Sequence, residues 1–270
     1  MNGVGATGVL SLRVSAATLV RVLFENPKDG NLTLALERKA TLRTDENGHT
    51  IDVKSQPFGG AARIRDLGTL QDRIGDFHFD SEQSRSEQDF RIFVRPSDWE
   101  VVRQFCIQHF SLVDDPILET DPRRELAEEF ADALKINLRP DQYTYQPIAT
   151  VVQDNPTPTA NIHAKGYPTV RVYRVFEAFI LDPALAHIML TNSESFSYQD
   201  LCKLAEDNAQ NGGKGKANAI LALPMKFIRD VYLAMPPNER NVPVIVKNNR
   251  LDETVPAVLE GITQPQYQRV

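Results

Sequence analysis

The sequence predicts an α/β layered domain with a mixed central sheet between helices. Residues 9–53 read as strands separated by turns, residues 121–134 read as a helix with one polar and one apolar face, and a further long strand follows at 169–181. Strands before and after helices in one chain of 270 residues point to layered α/β packing rather than to a helix bundle. A hydrophobic share of 41% with 24% charged residues places the chain among globular proteins able to bury a core and excludes a disordered one. The expected organisation is one domain over 1–270, with an inserted segment at 64–115 and an irregular C-terminal tail at 236–270.

The elements follow in chain order. Gly3, Gly5 and Gly8 spell G-x-G-x-x-G, but that loop needs a preceding strand and only Met1 and Asn2 precede it, so the segment reads as a terminus. Val9 to Val14 and Ala17 to Phe24 are rich in β-branched and apolar residues, and Asn26-Pro27-Lys28-Asp29-Gly30-Asn31 is a dense turn signal. Leu32 to Arg38 alternates apolar and polar side chains and completes a hairpin. A second turn, Asp45-Glu46-Asn47-Gly48, leads to a strand at Thr50 to Val53 and then to Pro57-Phe58-Gly59-Gly60.

Further on, Ser81 to Gln88 reads as polar and exposed, and Phe90 to Val94 as a short strand. Ser97-Asp98 caps a helix to about Phe110, with Trp99, Val102, Phe105 and Cys106 on one face. Asp121 is a good N-cap and Pro122 fits a first helical position, so a helix runs from there to about Leu134. Tyr145 to Gln153 is a strand; Asp154 to Pro168 carries three prolines and reads as a loop; Thr169 to Leu181 is a long strand. Tyr198 to Asn208 reads as a helix, Gln210 to Lys216 as a Gly-rich turn, and Ala217 to Ala234 as a helix broken at Pro224.

Charge and cysteine content narrow the partners. A net charge of −6 supplies no basic footprint for nucleic acid, so none is expected. Cys106 and Cys202 lie far apart with no C-x-x-C spacing, which leaves free thiols in a reducing compartment as the simplest expectation. No run approaches the roughly 18 apolar residues of a membrane helix, and the N-terminus lacks the basic-then-apolar order of a signal peptide. The expectation is a cytoplasmic protein with no membrane association.

Chemistry concentrates on Arg124-Glu125-Leu126-Ala127-Glu128-Glu129. Glu125, Glu128 and Glu129 stand at i, i+3 and i+4 and share a helix face. Their repulsion asks for a compensating charge, and Mg²⁺ (or Mn²⁺) suits one or two carboxylates together with substrate phosphates. The competing interpretation is a solvated acidic face. Leu126, Phe130 and Leu134 recur on the opposite side as an anchor.

This segment resembles the Nudix family, whose signature is G-x5-E-x7-R-E-U-x-E-E-x-G-U with U aliphatic. Arg124 to Glu129 matches the R-E-U-x-E-E core, and Gly59-Gly60 looks like the glycine pair ending the preceding strand. The departures are specific. Gly60 and Arg124 stand 64 positions apart, Ala131 and Asp132 replace the signature glycine and aliphatic residue, and Pro116 falls where the first glutamate belongs, with Asp115 or Glu119 as stand-ins.

The resemblance implies a Nudix-like α/β/α sandwich and hydrolysis of a nucleoside diphosphate linked to another moiety. It implies metal ligation by Glu125, Glu128 and Glu129 with the Gly60 carbonyl, a catalytic role for Glu128 and Glu129, and orientation of a glutamate by Arg124. The general base is left open among Glu177, Glu194 and Glu206. Two alternatives stay open: a Nudix-like module that binds a nucleotide-derived small molecule or a protein without turnover, and an unrelated α/β protein. The 64–115 segment is expected to form a lid or shape substrate choice, with an oligomer contact or a decorative subdomain as the alternative; a homodimer is a further expectation.

Weaker signals read structurally. Gly212-Gly213-Lys214-Gly215-Lys216 lacks Walker spacing and reads as a mobile loop. His78 with Asp76 and Asp80 reads as a surface loop, and Arg171 and Arg174 as paired or solvent-facing strand residues.

Overall fold

The computed structural model describes residues 10–45, 48–112, 114–159, 164–236, 250–252 and 254–259. Gly3, Gly5 and Gly8 lie outside the described residues. The strands are β1 (Leu12–Glu25), β2 (Leu32–Asp45), β3 (Gly48–Gln56), β4 (Phe58–Ala61), β5 (Arg63–Ile64), β6 (His78–Phe79), β7 (Arg91–Val94), β8 (Leu118–Glu119), β9 (Tyr143–Pro158), β10 (Pro168–Ile180), β11 (Lys216–Pro224) and β12 (Arg250–Leu251). The helices are α1 (Leu67–Ile74), α2 (Glu82–Glu87), α3 (Trp99–Phe110), α4 (Arg123–Leu134), α5 (Pro183–Ser195), α6 (Tyr198–Gln210), α7 (Met225–Phe227) and α8 (Val255–Leu259). The fold is mixed α and β with a large sheet whose described registers are antiparallel apart from the parallel pair β12 and β3. No helix among the described residues is long and apolar enough to cross a membrane.

The chain forms two compact units. The first comprises Met1–Thr18, Gly60–Pro122 and Ala149–Val175. In it β7 pairs with the start of β1, Leu12 to Ser15 opposite Arg91 to Val94, and β6 pairs with β7. The 64–115 segment supplies α1, α2 and α3 here, and its apolar side chains make one core with the long strands: Leu70, Phe90, Val102 and Phe110 pack with Leu12, Val14, Val170 and Val172. Arg13 and Asp80 form a buried ion pair at 2.7 Å, and Asp80 also accepts from Ser81 and Ser84. Burial pulls the Arg13 guanidinium below its ordinary value, with Asp80 opposing that shift.

The second unit comprises Leu19–Gly59, Arg123–Ile148 and Phe176–Val270. Its organising strand is β2. One edge pairs first with β1 at Leu32 to Ala35 and then with β3 at Glu37 to Asp45, while the other edge pairs with β11 from Thr33 to Thr41. The period-2 alternation of strands sorts the side chains onto two faces. Ala40, Val53, Ala217 and Ala219 pack with Leu201 and Ala205 of α6 on one face. Ala35 and Ile220 pack with Leu126, Phe130 and Ala133 of α4 and with α5 on the other. With helices on both faces, β2 is buried from Thr33 to Arg38 and again at Ala40, although its sequence alternates like a half-exposed strand. The 236–270 segment contributes β12 and α8, whose Leu251, Val255 and Val258 are buried.

Several local expectations are corrected. Residues 216–224 form β11, not the start of a helix. Its alanines favour a helix intrinsically, but nine positions pair with β2. Its outer edge is also covered, since Ile220 N–H and Ala222 N–H donate to Asn192 and Ser193 of α5. The prolines at 156 and 158 do not begin a loop: β9 continues through Pro158 and pairs with β10 alone among the described strands, and an edge position tolerates proline. Asp98 does not cap α3 with its side chain; it pairs with Arg95 at 2.7 Å instead. Ser81 to Gln88 carries the helix α2 with Ser84 buried. Helix α5 was not foreseen, though Asp182 caps it by accepting from Ala184 and Leu185 N–H, with Pro183 at its first position.

Candidate functional site

Helix α4 begins at Arg123, directly after Pro122. Leu126 and Phe130 are 1% and 0% exposed, and burying each contributes about 1.5–3 kcal/mol. That far outweighs the roughly 0.2–0.5 kcal/mol that each like-charge pair costs on a helix surface. Arg124 reduces the cost further. It lies 2.5 Å from Glu125 and 3.3 Å from Glu128, so one guanidinium spans two of the three glutamates. Glu128 is the most exposed of the pair.

Glu129 has a different setting. Phe58 stacks against Phe130 with ring centroids 5.1 Å apart, which fixes β4 against α4. The next residue, Gly59, has φ +131°, a conformation that side-chain-bearing residues rarely adopt. Its N–H donates to Glu129 Oε2 at 2.7 Å. Gly60 follows in the same strand. The contact between this strand and the glutamate-bearing helix is therefore made at Gly59 and Glu129.

The sheet beneath α4 supplies residues that the sequence did not single out. Glu37 and Lys39 share a face of β2 with Ala35, and the register sets Gln56 opposite Glu37 and Asn218 opposite Lys39. Glu37 is fully buried and accepts from Gln56 at 2.8 Å, Asn218 at 2.9 Å and Lys39 at 3.3 Å. Burial, together with the charges of Glu37 and Glu125, pushes the Glu129 carboxyl well above its ordinary value; Lys39 and the Gly59 N–H oppose that shift. Burial works against the Lys39 ammonium, but Glu37, Glu129 and Asp132 outweigh it and hold the group above its usual value.

Carboxylate and amide oxygens are the donor type a hard divalent cation takes. Glu125, Glu128 and Glu129 offer carboxylate oxygens, and Asn218 Oδ1 is a buried acceptor with no hydrogen-bond partner among the described residues. Its amide nitrogen is committed to Glu37, so it is the oxygen that is left. The carboxylates are not drawn into a ready cage: among the described residues no three Asp, Glu, His or Cys side chains are grouped to hold a metal.

The other candidates have evident partners. Glu177 pairs with Arg21 at 2.6 Å and Glu194 with Lys28 at 2.6 Å. Glu206 stands on α6, on the sheet face opposite α4. In the first unit, Asp115 accepts from Ile117 and Leu118 N–H, and Glu119 lies opposite Arg63 in the β5–β8 pair. Arg171 donates to Thr157, and Asp80 is committed to Arg13 rather than to a site with His78. The Gly-rich turn has a local cause: a Cβ at Gly213 would lie 2.7 Å from the Asn208 carbonyl oxygen. No family model matches the chain, and no curated protein matches it.

Proposed function

We propose that this chain is a Mg²⁺- or Mn²⁺-dependent hydrolase of Nudix type, cleaving a diphosphate linkage in a nucleotide-derived small molecule. The observation that carries the proposal is the placement of Glu129 at the Gly59 N–H and beside Glu37 and Glu125. Glu125, Glu128 and Glu129 would hold the cation. When bound, the cation supplies charge neutralisation of the diphosphate and Lewis acidity. The chain's own part is positional. Gly59 fixes one oxygen of Glu129, Arg124 orients Glu125 and Glu128, and Glu37 keeps Lys39 at the sheet surface beneath the helix.

One observation favours a second interpretation. Lys39 already places a cation near Glu37, Glu129 and Asp132, as a metal would. A Nudix-like module that binds a nucleotide or a protein without turnover would have that arrangement. The deciding experiment measures release of phosphate or mononucleotide from a panel of dinucleoside diphosphates and nucleotide sugars, with Mg²⁺ or Mn²⁺, beside Glu128→Gln and Glu129→Gln. Metal-dependent turnover that both substitutions abolish is the expected result. Absence of turnover with retained nucleotide binding selects the binding module.

A further inference from the structure

The first unit holds a cavity of about 430 Å³ against α1 and α3, lined among others by Arg73, Glu100, Val101, Phe105 and His109. That volume lies within the usual range of small-molecule sites. His109 is the residue with chemistry. Its Nδ1 lies 2.7 Å from Oδ2 of Asp115, which is 1% exposed. The other Asp115 oxygen accepts the N–H groups of Ile117 at 2.8 Å and Leu118 at 2.7 Å. A carboxylate is an acceptor only, so the imidazole hydrogen sits on Nδ1, and Nε2 is the ring atom left for a ligand. Phe105 packs on the ring at 4.1 Å between centroids and 30° between planes, which restricts its rotation. Among the described residues no side chain partners Nε2.

The charges around the cavity are unbalanced. Glu100 is occupied, accepting from Gln104 at 2.8 Å and Arg103 at 3.4 Å. Arg73, in the last turn of α1, has no carboxylate partner among the described residues. An unpaired guanidinium and an imidazole with a fixed tautomer therefore line a cavity whose remaining walls include Phe105 and Val101.

We propose that this cavity binds a small organic oxyanion, a phosphate or carboxylate group carried on an apolar body. Arg73 and Nε2 of His109 contact the anion, and Phe105 and Val101 pack against the body. Asp115 is a positioning residue that holds the imidazole in one tautomer. As imidazolium the ring donates from Nε2 to the anion. Arg73 from α1, Glu100 from α3, the helix of His109 itself, and Asp115 are the other charged groups facing His109 or its cavity.

The test is an NMR titration of the ¹⁵N-labelled full chain with phenyl phosphate, benzoate and the uncharged benzyl alcohol. Saturable shifts at His109 and Gln108 with one or both anions, and none with benzyl alcohol, are expected; the stronger anion identifies phosphate or carboxylate as the ligand group. Arg73→Gln changes an exposed residue and leaves the fold intact, and it should weaken binding by about tenfold. His109→Gln should do the same. Three results overturn the proposal: no saturable shift with either anion, equal binding of benzyl alcohol, or unchanged affinity in Arg73→Gln. A neutral imidazole carrying its hydrogen on Nε2 would contradict the tautomer assignment.

Discussion

Asp115 in the first unit and Glu129 in the second are carboxylates held by backbone N–H groups, and the difference between them separates structure from chemistry. Asp115 accepts two N–H groups and the His109 ring, and both its oxygens are used. Glu129 accepts one N–H, from Gly59, and is packed among like charges, with burial, Glu37 and Glu125 all raising its proton affinity. The first is a finished structural element. The second is stabilised by whatever brings positive charge to it, a role Lys39 fills in part and a divalent cation would complete.

The largest effect expected from this contrast is at Asp115. Asp115→Ala strands two buried N–H donors and releases His109, and should cost about 3 kcal/mol in chemical denaturation. A loss well under half of that would mean the loop after α3 is held by something else. Next is Lys39→Met, which leaves the buried Glu37 with Gln56 and Asn218 only and should cost about 2 kcal/mol. If the acidic cluster accepts a metal, Mn²⁺ should restore part of that stability; recovery absent at saturating Mn²⁺ would favour the module in which Lys39 is the permanent counter-charge.

The smallest effect is a pH dependence. In the metal-free protein Glu129 has a raised pKa in the fold, so its contribution to stability is complete at acid pH and is lost as the pH rises through that raised value. Glu129→Gln should match the unsubstituted protein at low pH and exceed it by about 1 kcal/mol at neutral pH. Parallel stability curves for the two proteins would show that Glu129 is not under repulsion.

How much of this was legible in the sequence follows from range. Helix α4, its acidic face and its apolar anchor depend on spacings of three and four residues, which a sequence displays directly. Gly59 was legible as one of the glycine pair closing Pro57-Phe58-Gly59-Gly60. Glu37, Lys39, Gln56 and Asn218 were not. They join the site only through strand register, and Asn218 meets Glu37 across 181 positions. Glu37 follows the apolar run Leu34 to Leu36, but Arg38 and Lys39 come directly after it, so its local sequence reads as exposed. Strand β11 was hidden by alanines whose local preference is helical, and only its pairing with β2 and its cover by α5 override them. His109 and Asp115 stand six residues apart and were not read as a pair, because nothing local told that the helix end would turn one onto the other.

The most direct test of the central claim is paramagnetic: titrate the ¹⁵N-labelled protein with Mn²⁺ and follow the amide signal of Gly59, which donates to Glu129. Selective broadening at Gly59 and along the first turns of α4, absent in Glu129→Gln, is the expected result. An unbroadened Gly59 signal at Mn²⁺ concentrations that support turnover, or broadening unchanged by Glu129→Gln, would contradict a cation site on this helix.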